Sequence, residues 1–314
     1  MTPPLHVVFG AGQIGASLAR LLHSRGDRVR VVRRGDKPVG AGIEVRAGDA
    51  RDATFAIAAT AGASVVYHCM NPSAYTAATW EAEFPAQGEA IIAAALAANA
   101  RLVVLDNLYG YGPVEGALTE ATPLGATGPK GRVRVAWAER LERARREQGL
   151  RYVAGRAGDF FGPGAGDQSM LGANTLRGLA AGKSAWLVGD ADQPHAFGYV
   201  PDVVEGLAAF GTADADIEGR TFHFPAVQAT PRALVAALGA AAGKPGSANV
   251  LPGWSLGVAG LFMPILRELR ETLYQWERPF LVDDSAFRAR FPGIGTNLPD
   301  AARQTMAAIT QPSA

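Results

Sequence analysis

At 314 residues, with 48% hydrophobic and 19% charged residues and a formal net charge of +1, the chain has the composition of a folded globular protein and the length to bury a large core. That balance excludes a disordered or fibrous chain and offers no basic field to a nucleic acid, so small molecules are the expected partners. The single cysteine, Cys69, excludes an internal disulfide and a thiolate-rich metal site, and MTPPLHVVFGAG carries no export signal, so a reducing cytoplasm is the expected location.

The first element is the apolar run 5-LHVVF-9, a buried strand that runs into 10-GAGQIG-15. A G-x-G-x-x-G pattern between strand and helix gives each glycine a task. Gly10 makes the tight turn, Gly12 lets backbone amides approach a pyrophosphate, and Gly15 lets helix and strand pack closely, with Gln13 and Ile14 between them. An amphipathic helix follows over 15–26 and ends at Gly26, then a second strand at 28-RVRVV-32. NAD enzymes place a carboxylate at the end of that strand against the ribose 2′-hydroxyl, but the chain reads 31-VVRRG-35. Arg33 and Arg34 instead offer guanidinium forks to a 2′-phosphate, which points to NADP and keeps NAD as the alternative.

Strands are expected again at 64-SVVYHC-69, 101-RLVVLDN-107 and 151-RYVAGR-156, with helices over 86–100 and 133–149. Apolar strands alternating with helices mean crossover connections and a parallel sheet covered on both faces. The fold class is therefore α/β: a Rossmann-type doubly wound parallel sheet over residues 1–160, and a smaller C-terminal substrate lobe over 161–314 with part of the chain returning to the core sheet. The lobe is expected because short Gly- and Pro-rich elements such as 192-DQPHAFGYVPD-202 replace the earlier rhythm. The run 254-WSLGVAGLFMPIL-266, about 13 residues and broken by Gly257, Gly260 and Pro264, is short of the roughly 20 that a bilayer span needs. A buried or lid segment is expected there, with Trp254, Phe262, Met263, Tyr274 and Trp276 lining an apolar pocket or filling the second core.

The order of motifs resembles the extended short-chain dehydrogenase/reductase family, often labelled NAD-dependent epimerase/dehydratase, and its atypical members especially, over nearly the whole chain. Besides the glycine turn, 48-GDARD-52 is similar to the family's adenine-contacting G-D-x-x-D, 108-LYGYGP-113 to its V-Y-G segment, 156-RAGDFFGPG-164 to its R-P-x-x-x-Y-G-P-G turn, and 197-FGYVPDVVEGL-207 to F-V-H-V-D-D-V-A-x-A-L. The resemblance implies that Asp49 meets the adenine and Asp159 the nicotinamide end, that helices 86–100 and 133–149 pair copies as a homodimer, and that His195 stands about where sugar-nucleotide members hold an arginine.

The family's Ser, Tyr and Lys fall here on Leu105, Gly131 and Val135. No tyrosine occurs between Tyr111 and Tyr152, and Lys130 is the sole lysine there, so no shift of register restores the pair. Reducing a carbonyl makes an alkoxide that needs a proton donor, so other groups must serve. Tyr109 and Tyr111, just past the C-terminal end of a strand where open α/β sheets bind ligands, are the candidate donors, with Lys130 as a cation. Leu105 joins the cofactor-binding set, and Asn107, His195 and Trp276 are the candidate substrate contacts. Lys130 and Arg134 also fit an exposed face of the helix, and Asp106 and Asn107 fit bonding to loop backbone. The expected activity is NADP-dependent reduction of a small apolar carbonyl or enone. A non-catalytic redox sensor, or an epimerase or dehydratase that uses the cofactor transiently, is the rival reading. No metal site is expected.

Overall fold

LHVVF forms β1 (Leu5–Phe9), buried along its full length, because apolar side chains on alternate faces suit a strand covered on both sides. Gly10, in the left-handed region at φ 99°, turns the chain into α1 (Gln13–Ser24). That helix buries Ile14, Leu18, Ala19 and Leu22 and stops at Gly26, whose φ of 91° suits glycine. The computed structural model describes residues 3–166, 169–254 and 264–310; of the expected segment at 254–266, residues 255–263, with Phe262 and Met263, lie outside them.

β2 (Arg28–Arg33), β3 (Glu44–Ala47), β4 (Val65–His68), β5 (Arg101–Asn107) and β6 (Tyr152–Ala157) follow. With the strand Arg220–His223 they form a seven-stranded sheet in the order Arg220–His223, β6, β5, β4, β1, β2, β3. β1 pairs parallel with both β2 and β4, β2 with β3, and β4 with β5. The order reverses between β1 and β4, so their carboxyl ends open the crevice where doubly wound sheets take ligands. β3 is missing from the sequence reading because EVRA is a polar edge strand with no apolar run.

α2 (Ala53–Thr60) is capped by Asp52, whose carboxylate accepts from the Thr54 and Phe55 amides. α3 (Ala77–Ala97) starts nine residues ahead of the expected 86, with Pro85 inside it. α4 (Pro129–Gln148) has proline in its first turn and ends on left-handed Gly149. Trp137 and Leu141 of α4 join Phe84, Ile91 and Ile92 of α3 in the core beside the sheet.

The chain divides into two compact units. One holds the chain up to Gly112, Leu124–Arg156 and Val204–Phe222; the other holds Pro113–Pro123, Ala157–Val203 and the chain from His223 onward. Against the expected boundary at 160, the first unit gives way at Arg156 and gains the later Val204–Phe222 segment, which carries most of the sheet's outer strand. In the second unit His195–Tyr199 pairs antiparallel with Ala226–Ala229 and parallel with Asp159–Phe161, while Ala185–Val188 pairs with Ala248–Leu251. Phe161, Phe197, Leu234, Leu238 and Trp276 form its core. Among the described residues, no helix is long and apolar enough to cross a membrane, and no group of three His, Cys, Asp or Glu side chains is arranged to hold a metal ion.

His68, at the end of β4, is 1% exposed and lies against the Phe84 and Trp137 rings. Burial, then the charge of Arg134, pushes its pKa down to about 4, against the pull of Asp106. The unfolded chain takes up this proton near 6.5 and the folded chain resists until about 4, so stability falls as the pH drops through that window. Replacing His68 with Gln should flatten urea-derived stability between pH 6.5 and 4, removing on the order of 3 kcal/mol of acid loss.

Candidate functional site

The glycine turn is closely packed at two of its glycines and open at the third. A Cβ on Gly15 would stand 2.0 Å from the Gly10 carbonyl oxygen, and one on Gly10 would stand 2.8 Å from the Cys69 carbonyl oxygen, so neither position admits a side chain. A Cβ on Gly12 would meet nothing within 4 Å, so this position borders open space at the start of α1. Gly12 caps the helix without a side-chain hydrogen bond, and no acidic residue stands in the first turn. Amides that lack a side-chain cap, carrying the positive end of the helix dipole, suit a phosphate. Ile14 is buried beneath the turn and Gln13 is half-buried beside it.

Arg33 ends β2 with its guanidinium donating to the Lys37 carbonyl at 3.1 Å, and Arg34 is exposed. Asp49 is paired with Arg51, whose Nη2 lies 2.6 Å from Oδ2. The Arg51 hydrogen bonds hold the Asp49 carboxyl below its usual range, and the charge of Arg34 adds to the effect. Arg34 and Arg51 therefore act together on Asp49, with Arg33 next to Arg34 in the chain. Arg51 was hidden in the sequence because G-D-x-x-D directs attention to its acids.

At the end of β5 the polar groups are buried and interlocked. Asp106 accepts from Arg134 Nη1 at 3.1 Å on one oxygen and from Arg156 Nε at 3.3 Å on the other, with all three side chains under a tenth exposed. Arg134 Nη2 also donates to Asn71 Oδ1 at 2.6 Å, and Arg156 Nη1 donates to the Tyr111 hydroxyl at 2.8 Å. Burial pulls the Arg134 guanidinium below its ordinary value. Burial also opposes the charge on Arg156, but Asp106 and Tyr111 outweigh it and hold that guanidinium above its ordinary value. The reading of Arg134 and Lys130 as exposed helix charge fails: they are 3% and 1% exposed. Helical spacing alone could not reveal that Asp106 and an aromatic wall wait on that face.

Lys130 Nζ lies 4.9 Å from the centre of the Tyr75 ring, and the Tyr75 hydroxyl donates to the Tyr109 hydroxyl at 3.1 Å. Trp80 stacks on Tyr109 at 5.9 Å. Tyr109 is half-buried, whereas Tyr111 is 2% exposed beneath Arg156. Leu105 is half-buried on β5, and Asn107 Oδ1 accepts from the Tyr109 amide at 3.1 Å, which shapes the turn that carries the tyrosines. At Gly131, where the resemblance puts a catalytic tyrosine, a Cβ would lie 2.5 Å from Ala126 Cβ and 3.0 Å from the Tyr109 carbonyl oxygen. That position is closed by packing. Tyr75, which no motif marked, supplies a phenol from another element.

Within the second unit His195 is 1% exposed. Its Nδ1 lies 2.9 Å from the Gln275 carbonyl oxygen and its Nε2 3.0 Å from Asp159 Oδ2, while its ring stacks on Trp276 at 4.2 Å. His195 and Trp276 are thus interior groups of this unit, and Asp159, with its side chain 34% exposed, is the member that reaches the surface.

No curated protein matches the chain. Solved structures show the same fold. The UDP-glucuronic acid 4-epimerase of Bacillus cereus, in complex with NAD, is 16% identical with a TM-score of 0.77, covering 97% of this chain and 98% of that one. The dTDP-glucose 4,6-dehydratase DesIV of Streptomyces venezuelae, with NAD and TYD bound, is 17% identical with a TM-score of 0.78, covering 97% and 96%. The UDP-glucose 4-epimerase of the hyperthermophile Thermotoga maritima is 15% identical with a TM-score of 0.77, covering 97% and 98%. The model of the NAD dependent epimerase/dehydratase family matches residues 6–223, the stretch that holds the glycine turn, the Asp106 cluster and all of the seven-stranded sheet but Leu5, and the chain belongs to that family.

Proposed function

We propose that the chain is an NADP-dependent oxidoreductase that reduces a small carbonyl or enone, with Tyr109 as the proton donor. The observation that carries this reading is the open cradle at Gly12, set on amides that lack a side-chain cap at the crevice of the sheet. NAD in the neighbouring structures supports a nicotinamide dinucleotide in the same place. When bound, that cofactor would supply the hydride; the residues supply binding, orientation and a proton. Gly10 to Gly15 would take the pyrophosphate, Asp49 the adenosine end, and Arg33, Arg34 and Arg51 a 2′-phosphate. Leu105 would border the nicotinamide side. Tyr109 stands at the carboxyl end of β5 and is half-buried, so its hydroxyl is suited to give a proton to a substrate oxygen, with Asn107 steadying the turn beneath it. Tyr111, buried and held by Arg156, belongs to the scaffold of this mechanism.

The closed position at Gly131 favours this substrate class. An enone takes hydride at carbon and needs only stabilisation of an enolate oxygen, so it depends less on a finely tuned relay than a sugar carbonyl does. The same cradle would equally serve a redox sensor. Tight NADPH binding without consumption of any carbonyl would move the assignment there.

We also place a homodimer contact on the α3–α4 face. A groove lined by Phe84, Pro85, Val133 and Trp137 is framed by the Arg132–Glu81 and Arg140–Glu89 pairs, and a second copy related by a twofold axis would cover the apolar strip with its own.

Three outcomes test these assignments. Arg33→Ala with Arg34→Ala should weaken NADPH binding by calorimetry at least about tenfold and NADH binding little, since charge-assisted bonds contribute roughly 1.5–3 kcal/mol each; an unchanged preference would remove NADP. Tyr109→Phe should lower kcat for ketone or enone reduction by about 100-fold, while Tyr111→Phe keeps kcat and loses thermal stability. Val133→Glu should yield monomers by light scattering.

A further inference from the structure

The family pattern sets a phenol and an ammonium on one helix, and here both positions are empty of such groups: Gly131 has no room for a side chain, and Val135 has no charge. The same chemistry is nevertheless gathered from three places in the chain. Tyr75 comes from the segment ahead of α3, Tyr109 from the turn after β5, and Lys130 from the first turn of α4. Lys130 is 1% exposed, an unusual environment for an ammonium, and it sits over the face of the Tyr75 ring. Tyr75 in turn donates its hydroxyl proton to the oxygen of Tyr109. Its ring is fixed edge-on by Trp80 at 5.9 Å and by Tyr109 at 6.5 Å, so the hydroxyl is aimed rather than loosely placed.

We propose that Tyr75 and Lys130 form a relay behind Tyr109 that replaces the missing helix pair. This inference rests on Tyr109 being the donor in the reduction proposed above. A bound nicotinamide would supply the hydride and be oxidised in doing so; as the carbonyl carbon accepts that hydride, the C=O π pair moves to oxygen. The Tyr109 O–H bond breaks and its proton goes to that oxygen. The Tyr75 O–H bond then breaks, and its proton crosses 3.1 Å to the Tyr109 oxygen. The negative charge finishes on Tyr75, over which Lys130 holds a positive charge in a buried setting where attraction is little screened. Water returns the proton to Tyr75. Two phenols and a cation thus do the work of one phenol and a cation, and moving the charge one ring back from the substrate keeps Tyr109 neutral for the next turnover. Tyr75 and Lys130 act through Tyr109 and are positioning residues; Tyr109 alone meets the substrate.

The test is NADPH oxidation with 2-cyclohexen-1-one, benzaldehyde and acetophenone by the full chain, with NADPH affinity measured in parallel. Tyr75→Phe keeps the ring and removes only the hydroxyl. It should lower kcat on the order of tenfold to 100-fold, leave NADPH affinity within about twofold, and enlarge the effect of D2O on kcat as proton transfer becomes limiting. Lys130→Met should act in the same direction, and Lys130→Arg, which keeps the charge, should recover most of the rate. Unchanged kcat and D2O effect in Tyr75→Phe, with Tyr109→Phe inactive, would overturn the relay and leave the donor standing. A loss in Lys130→Met that Lys130→Arg does not repair would reduce Lys130 to a packing role and overturn the relay as drawn. NADPH binding by the unaltered chain with no turnover of any of the three carbonyls would overturn both the relay and the reductase reading.

Discussion

The charge on Asp106 governs the architecture around the crevice of the first unit. One carboxylate at the end of β5 is shared by Arg134 of α4 and Arg156 of β6, and the arginines pass the restraint on to Asn71 and Tyr111. Four segments far apart in the chain are thereby tied within two bonds of one side chain. The three charges are almost dehydrated, so the arrangement holds only while each has its partners. Taking away one member of such a buried set costs about 3–5 kcal/mol, chiefly because the others are left uncompensated. Asp106 also accepts from the Asn107 amide at 2.9 Å, and Asn107 accepts from the Tyr109 amide, so the buried charge cluster borders the turn that carries Tyr109.

Much of the sheet could be read from the chain because its middle strands are buried on both faces and leave continuous apolar runs. Tyr67, Val66 and Val104 are each 1% exposed or less. What escaped was what lacks that signature. Glu44–Ala47 pairs with β2 on one side as a polar edge strand, and its register is set by β2 rather than by its own composition. The start of α3 was hidden by Pro85, which reads as a helix boundary but is accommodated inside a helix of 21 residues.

The site divides in the same way. The glycine turn was legible because every constraint on it is local: a glycine with positive φ, a glycine against a carbonyl, and a glycine facing open space within six residues. The Tyr75, Tyr109 and Lys130 group was only half legible. Its members are 34 and 21 residues apart in sequence and share no periodicity, and Tyr75 is a lone aromatic in a loop until the fold places its hydroxyl against another. Lys130 and Arg134 misled for a related reason. Their four-residue spacing describes a helical face but says nothing of whether that face meets water or a carboxylate.

The tight fit at Gly131 bears on how such a chain can change. Ala126 and the Tyr109 backbone occupy the volume that a side chain at 131 would need, so a tyrosine cannot be placed there by one substitution without displacing the loop that carries Tyr109. Position 131 and the Tyr109 loop are therefore coupled: any side chain larger than hydrogen at 131 has to be accompanied by a shift of the segment beside it.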